Sequence, residues 1–263
     1  MNITHVLLDI EGTTCPVSFV SEVLFPYASA SLEPYLEAHQ GNAEIAKLMR
    51  DVEVAWREDP HPEARELLQQ QDAASTLSVQ ALSAYLSQLI GRDIKLTPLK
   101  DLQGRIWRSG YASGELIAPL FTDVPRALRR WRDDGFTLAV YSSGSVPAQQ
   151  LLYGHCHEGD LTSLFSHWFD TKTGPKQTEE SYLTIATEVQ TTPTNVLFIS
   201  DAIHELEAAD AAGMKTLFSD REGNPAREAG RFARISDYSS LNPRDGFKRT
   251  RSRDPETQSG HAH

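Results

Sequence analysis

The feature that most constrains this chain is a short apolar run that ends in acid. His5-Val6-Leu7-Leu8 passes directly into Asp9-Ile10-Glu11-Gly12-Thr13. A run this brief, closed by a carboxylate, reads as a buried parallel strand that delivers its end to a loop. Ligands in open α/β sheets bind outside the carboxyl ends of the strands, so Asp9 and Glu11 stand at a site mouth. Alternation along an extended chain turns positions 9 and 11 the same way. Two carboxylates so placed repel each other unless a cation or a shared proton relieves them. Gly12 admits a turn closed to other residues, and Thr13 offers a hydroxyl to a phosphate or a backbone group. The same five residues also suit an ordinary strand-end turn with solvated acids. The remainder of the chain decides between the two.

Behind Thr13 the pattern changes. From Val17 to Ser113 the chain reads as helices separated by Pro, Gly and polar turns. Ala43 to Arg57 carries Ile45, Leu48, Met49, Val52 and Trp56 on one helical stripe. Leu77 to Ile90 and Leu99 to Tyr111 repeat the pattern, and Asp59-Pro60-His61-Pro62 breaks it, with Pro62 suited to a first helical turn. A helical block set directly behind an acidic strand end reads as a cap over that end; a helical bundle without a role in the site is the alternative. Phe25, Trp107 and Tyr111 sit on helical faces and read as core aromatics rather than as the lining of a pocket.

From Asp123 onward helices and strands alternate. Phe136 to Tyr141, Asn195 to Ser200 and Met214 to Phe218 read as strands; Val124 to Asp134, Val146 to Tyr153, Glu179 to Val189 and Glu205 to Ala212 read as helices. This alternation predicts a parallel sheet covered on both faces. The fold expected is α/β, a Rossmann-like parallel core formed by residues 1–14 and 120–243, with a helical cap inserted at 15–119. Residues 244–263, basic and then rich in polar residues, are expected to be a disordered tail.

Parallel strands in one sheet end on one edge, so Asp9 and Glu11 should meet Ser142 and Ser143, Lys176, and Asp201. Their chemistry is complementary. A carboxylate at Asp9 can attack phosphorus and form an aspartyl-phosphate. A phosphate ester would be repelled by Asp9, Glu11 and Asp201 together, so this reading requires Mg²⁺, held by carboxylates, a backbone carbonyl, water and the substrate phosphate. Asp201 is the natural second metal carboxylate. Ser142, with the backbone N–H groups near Ser143 and Gly144, forms an anion cradle. Lys176 brings a mobile positive charge to the phosphoryl group and steadies Asp9. Taken singly, each has an ordinary alternative: a capped turn, a solvated lysine, a helix cap. Their joint occurrence at successive strand ends favours the site.

Composition narrows the classes further. A net charge of −11 over 263 residues argues against a general nucleic-acid surface. Cys15 and Cys156 are the two cysteines, which gives neither a disulfide framework nor zinc spacing and favours a reducing compartment. Asp9 and Glu11 interrupt the early apolar run, so it does not read as a signal peptide. No stretch approaches the roughly 18 apolar residues of a membrane span. A cytoplasmic monomer acting on a small molecule is expected, with neither nucleic acid nor membrane as partner.

The ordered set Asp9-Ile-Glu11-Gly-Thr13, Ser142-Ser143, Lys176 and Asp201 resembles the haloacid dehalogenase superfamily of phosphotransferases. That superfamily usually carries Asp at the position of Glu11. The Glu variant matches its enolase-phosphatase branch, as do Pro16-Val-Ser-Phe-Val20, Leu24-Phe25-Pro-Tyr27, Tyr141-Ser-Ser-Gly-Ser145, Ala148-Gln-Gln-Leu-Leu152, Phe169-Asp170-Thr, Gly174-Pro-Lys176 and Ser181-Tyr182. The resemblance spans about residues 3 to 240. It implies a magnesium-dependent, bifunctional reaction of methionine salvage on 2,3-diketo-5-methylthiopentyl-1-phosphate: enolisation, then dephosphorylation to the acireductone. It places Asp9, Glu11 (through its backbone carbonyl) and Asp201 at the metal, and Ser142, Ser143 and Lys176 at the substrate. Ala202-Ile203-His204-Glu205 departs from many relatives and leaves the part played by Glu205 open. A magnesium phosphatase for another small ester, or a non-catalytic phosphate-binding relative, are the competing readings.

Overall fold

The computed structural model describes residues 2–71 and 77–245. Among them, six parallel strands form one sheet: β1 (His5–Leu8), β2 (Thr137–Tyr141), β3 (Phe165–Phe169), β4 (Val196–Ser200), β5 (Lys215–Ser219) and β6 (Arg234–Ile235). The spatial order is β3-β2-β1-β4-β5-β6, so β1 is central and the order of the chain reverses beside it. That reversal opens the crevice in which ligands of such sheets bind. The α/β class read from the alternating pattern is the class observed.

The central strands are apolar throughout because both of their faces are covered. Val6 and Leu8 enter one buried cluster and Leu7 the other, the period of two that a strand imposes. Leu197 and Ile199 against Phe198 repeat the division in β4. Helices α6 (Val124–Asp133) and α7 (Val146–Gly154) cover the first face, and α8 (Glu179–Glu188) and α9 (Ile203–Ala211) the second. Each fully buried Leu or Phe contributes about 1.5–3 kcal/mol relative to exposure.

Register fixes where the strand ends lie. Leu8 pairs with Val140 on one side and Ile199 on the other, and the Asp9 N–H donates to the Ile199 carbonyl at 3.0 Å. Asp9 is therefore level with Tyr141 and Ser200.

The intervening segment is helical: α1 (Phe25–His39), α2 (Ala43–Glu58), α3 (Pro62–Gln69), α4 (Val79–Gly91) and α5 (Thr97–Ser113), preceded by a π-helical stretch at Phe19–Leu24. Asn42 caps α2 by accepting from the N–H groups of Glu44 and Ile45, and Ser78 caps α4 by accepting from that of Ala81. Pro62 opens α3, as the breaker before it predicts. These helices build an apolar cluster of their own around Leu32, Val52, Trp56, Leu86 and Leu102. Trp56 stacks on Tyr85 at 4.8 Å and donates its indole N–H to the Ala64 carbonyl.

Two strands differ from the periodic reading. β3 mixes Ser166 and His167 among aromatics and shifts register against β2, which weakens its apolar signal. β6 has two residues, too few to show any period. The expected disordered tail begins too early at Arg244, whose guanidinium donates to the Asp134 carbonyl and lies over the Phe136 ring; its residues 246–263 fall outside the described residues. Among the described residues no helix is long and apolar enough to cross a membrane.

Arg221 ties the returning connection to the sheet. It forms a two-pronged ion pair with Asp123 at 2.9 and 3.0 Å, between the rings of Phe121 and Tyr238. Both charged side chains are buried. Arg221→Ala leaves the Asp123 carboxylate buried without its cation, so urea unfolding should show a loss of roughly 3–5 kcal/mol.

Candidate functional site

The strand ends meet as the sheet topology requires. Asp9 is 6% exposed, and its Oδ1 accepts from the Lys176 ammonium at 2.7 Å and from the Ile10 N–H at 2.8 Å. Its Oδ2 accepts from the Ser200 hydroxyl at 3.2 Å. Lys176 reaches a second carboxylate, Glu205, at 2.7 Å, and the Ser200 hydroxyl also lies 3.0 Å from Glu205. Ser200 thus bridges the two acids that grip the lysine.

Lys176 is not the mobile charge that its loop position predicts. Tyr141, Ser181 and Tyr182 donate their hydroxyls to the successive carbonyls of Gly174, Pro175 and Lys176, at 2.9, 2.7 and 2.7 Å. The loop backbone is pinned, and so is the ammonium. Burial opposes its charge, but Asp9 and Glu205 overcome that and hold its pKa above the ordinary lysine range.

Four acids surround this single lysine. Burial and then Asp9 raise the Glu11 carboxyl above its usual range. The same two causes push Asp201 up to about 7. Glu205 is raised by burial and Asp9 while Lys176 pulls it back. Such crowding marks a place where a further cation is favoured.

The loop itself supplies a ligand for one. The Ile10 carbonyl accepts from the N–H groups of Thr13, Thr14 and Cys15. The Gly12 carbonyl accepts from Ser219 and Asn224, that of Thr13 from Tyr238, and that of Thr14 from the Phe121 N–H. Among the described residues, the Glu11 carbonyl takes no such bond. Asp9, Asp201 and this free carbonyl are a hard-oxygen set suited to a small divalent cation whose other ligands are water and phosphate. No group of three or more His, Cys, Asp and Glu side chains is arranged as an all-protein metal cage among the described residues. A site that leaves positions to water and phosphate needs none.

A cavity of about 110 Å³ opens between the strand ends and the helical block. Glu11 and the Ser142–Ser145 turn line one side; Phe25, Ile94, Leu99 and Trp107 line the other, with Lys95 and Lys100 beside them. The aromatics expected in the core therefore divide: Tyr111 is buried yet touches the cavity, whereas Phe25 and Trp107 are half-buried wall. Their helical stripes pack between two bodies, which periodicity alone does not distinguish from core. In the Ser142–Ser145 turn, the Gly144 N–H donates to the Ser142 hydroxyl at 3.2 Å, so part of the expected cradle is satisfied internally. The Thr13 hydroxyl, expected to reach a phosphate or the backbone, is buried without a hydrogen-bond partner.

A family model described as a haloacid dehalogenase-like hydrolase matches residues 3–213. The chain belongs to the haloacid dehalogenase-like hydrolases. Within them it is 50% identical over 225 residues to Enolase-phosphatase E1 of Parasynechococcus marenigrum, covering 86% of this chain and 92% of that one. The Aquifex aeolicus protein of the same name is 43% identical over 236 residues, covering 90% and 97%. Among solved structures, the UTR4 protein of Saccharomyces cerevisiae superposes with a TM-score of 0.68 at 32% identity, over 91% of this chain and 100% of that one. CbbY of Rhodobacter sphaeroides shares the fold at a TM-score of 0.54 and 17% identity, over 91% and 96%.

In this hydrolase the residue reading brought Asp9, Lys176 and Asp201 together but missed Ser200, Ser219 and Asn224, and left Glu205 open. Ser200 and Ser219 each close an apolar strand, so their places at strand ends were signals. Asn224 sits in an irregular loop and had none.

Gly12 carries the tightest constraint. Its φ is +64°, and a Cβ there would lie 2.1 Å from Asp201 Oδ2 and 2.9 Å from Asn224 Nδ2. Gly12→Ala must displace the Asp201 carboxylate. Hydrolysis of an aryl phosphate should fall at least about tenfold while circular dichroism keeps the folded signature.

Proposed function

We propose that this hydrolase is a bifunctional, magnesium-dependent enolase-phosphatase. It enolises 2,3-diketo-5-methylthiopentyl-1-phosphate and then removes the phosphate, giving the acireductone of methionine salvage. The observation that carries the reading is the buried Asp9, fixed by Lys176 and Ser200, on the loop whose Ile10 and Glu11 line an apolar-walled cavity.

In this reading the core is the split unit 1–14 and 120–243, and the helices between act as its cap. The helical block's separate apolar cluster supports that division. Phe25, Ile94, Leu99 and Trp107 offer the methylthio chain an apolar wall, and the Ser142–Ser143 turn faces the phosphate end.

Asp9, Asp201 and the Glu11 carbonyl would hold Mg²⁺, which supplies charge stabilisation to the phosphoryl group when bound. Asp9 attacks phosphorus in line, the bond to the ester oxygen breaks, and that oxygen leaves with the electron pair. Water then attacks the aspartyl-phosphate and releases phosphate and free Asp9. Lys176 orients the nucleophile and offsets the charge that gathers on the equatorial oxygens. Its pinned loop spares the reorganisation that a mobile lysine would require.

Glu11 explains why this branch differs from relatives with Asp at that position. An enolate leaving oxygen is stabilised by its neighbouring carbonyl and gains little from a general acid. The carboxyl of Glu11 lines the cavity and is held above its usual pKa by burial and Asp9, which suits proton transfer at the carbon acid.

Purified protein, Mg²⁺ and the diketo phosphate, followed by enol absorbance and phosphate release together, test the reading; enol formation without phosphate release, or neither, overturns it. Release from an unrelated panel ester at a higher kcat/KM assigns another substrate. Asp9→Asn should cut phosphate release more than about 10³-fold. Glu11→Gln should slow enolisation roughly 10²-fold; a native enolisation rate in that variant removes Glu11 from the proton transfer.

A further inference from the structure

The end of β5 and the segment after it lie away from the cavity, yet they grip the nucleophile loop from behind. Asn224 Nδ2 donates to the Gly12 carbonyl at 2.9 Å and to the Ser219 carbonyl at 3.2 Å. The Ser219 hydroxyl donates to the same Gly12 carbonyl at 2.9 Å, and the Tyr238 hydroxyl to that of Thr13 at 3.0 Å. All three residues are at least nine-tenths buried.

These bonds hold the Gly12–Thr13 and Thr13–Thr14 peptides, one and two units beyond the Glu11 carbonyl. Gly12 stands at positive φ with its α-carbon pressed towards Asp201 and Asn224, so its orientation sets the direction of the preceding carbonyl. The amide of Asn224 has only one workable orientation. Rotated by half a turn, its oxygen would face two carbonyl oxygens. In the orientation that works, Oδ1 is buried without a partner. Both amide N–H bonds are thus spent on buried carbonyls, joining the Gly12 carbonyl to the end of β5.

We propose that Asn224, with Ser219 and Tyr238, is a positioning clamp that turns the Glu11 carbonyl to the cation and holds Gly12 against Asp201. The clamp rests on the metal reading above. None of the three touches the reacting atoms; they act through the backbone of Gly12 and Thr13. Partners of this kind typically alter metal affinity by 10- to 100-fold.

The test is Mn²⁺ binding to the full chain, read by the paramagnetic signal of free Mn²⁺ during titration, alongside thermal unfolding. Asn224→Ala should weaken Mn²⁺ binding about tenfold. Ser219→Ala should weaken it less, and Ser219→Thr, which keeps the hydroxyl, should restore wild-type binding. A merely structural role would lower the unfolding temperature and leave the Mn²⁺ Kd in place. Binding by folded Asn224→Ala within about twofold of wild type overturns the clamp; if that variant does not fold, Ser219→Ala, which deletes one hydrogen bond, decides by the same criterion. A wild-type chain that binds no Mn²⁺ overturns the metal reading and the clamp with it. Wild-type binding with unchanged variants overturns the clamp alone.

Discussion

One buried lysine holds this site together. Lys176 lies between Asp9 and Glu205, and without it the segments after β1 and β4 would bring mutually repelling acids into a space largely closed to water. Buried acids left without a cation take up protons rather than stay charged. The lysine is therefore the charge that lets this group of acids be buried together. Its own position depends on the hydroxyls of Tyr141, Ser181 and Tyr182, which satisfy three loop carbonyls in a row.

The sheet order makes this arrangement possible. Residues separated by nearly the whole length of the core become neighbours because β1 is flanked by β2 and β4 and all three run the same way. Among the described residues, the helical block adds none to the ion-paired cluster around Asp9. It adds an apolar wall to the cavity, so the charged cluster and the apolar wall come from different parts of the chain.

Much of this was legible in the amino-acid sequence, for reasons that differ by residue. β1, β2 and β4 are continuous apolar runs, and Asp9, Ser142 and Asp201 follow directly from where those runs stop. Lys176 was legible from its place in the polar loop after Phe169, but its burial was not, since a lysine's surroundings come from elsewhere in the chain. Asn224 and Tyr238 were silent because the loop they hold is met only through backbone carbonyls more than two hundred residues away. A side chain that bonds to backbone leaves no complementary residue to find. Phe25 and Trp107 misled for the opposite reason: a helical face that meets a cavity has the same apolar period as one that meets core.

The hydrogen bond from the Phe121 N–H to the Thr14 carbonyl joins the chain entering the helical block to the chain returning from it. Phe19, Leu24 and Tyr111 share one buried cluster with Val6 and Leu8, so this junction is a packed seam. Close packing transmits strain, and a change of side-chain volume in the seam is felt by the strand that carries Asp9.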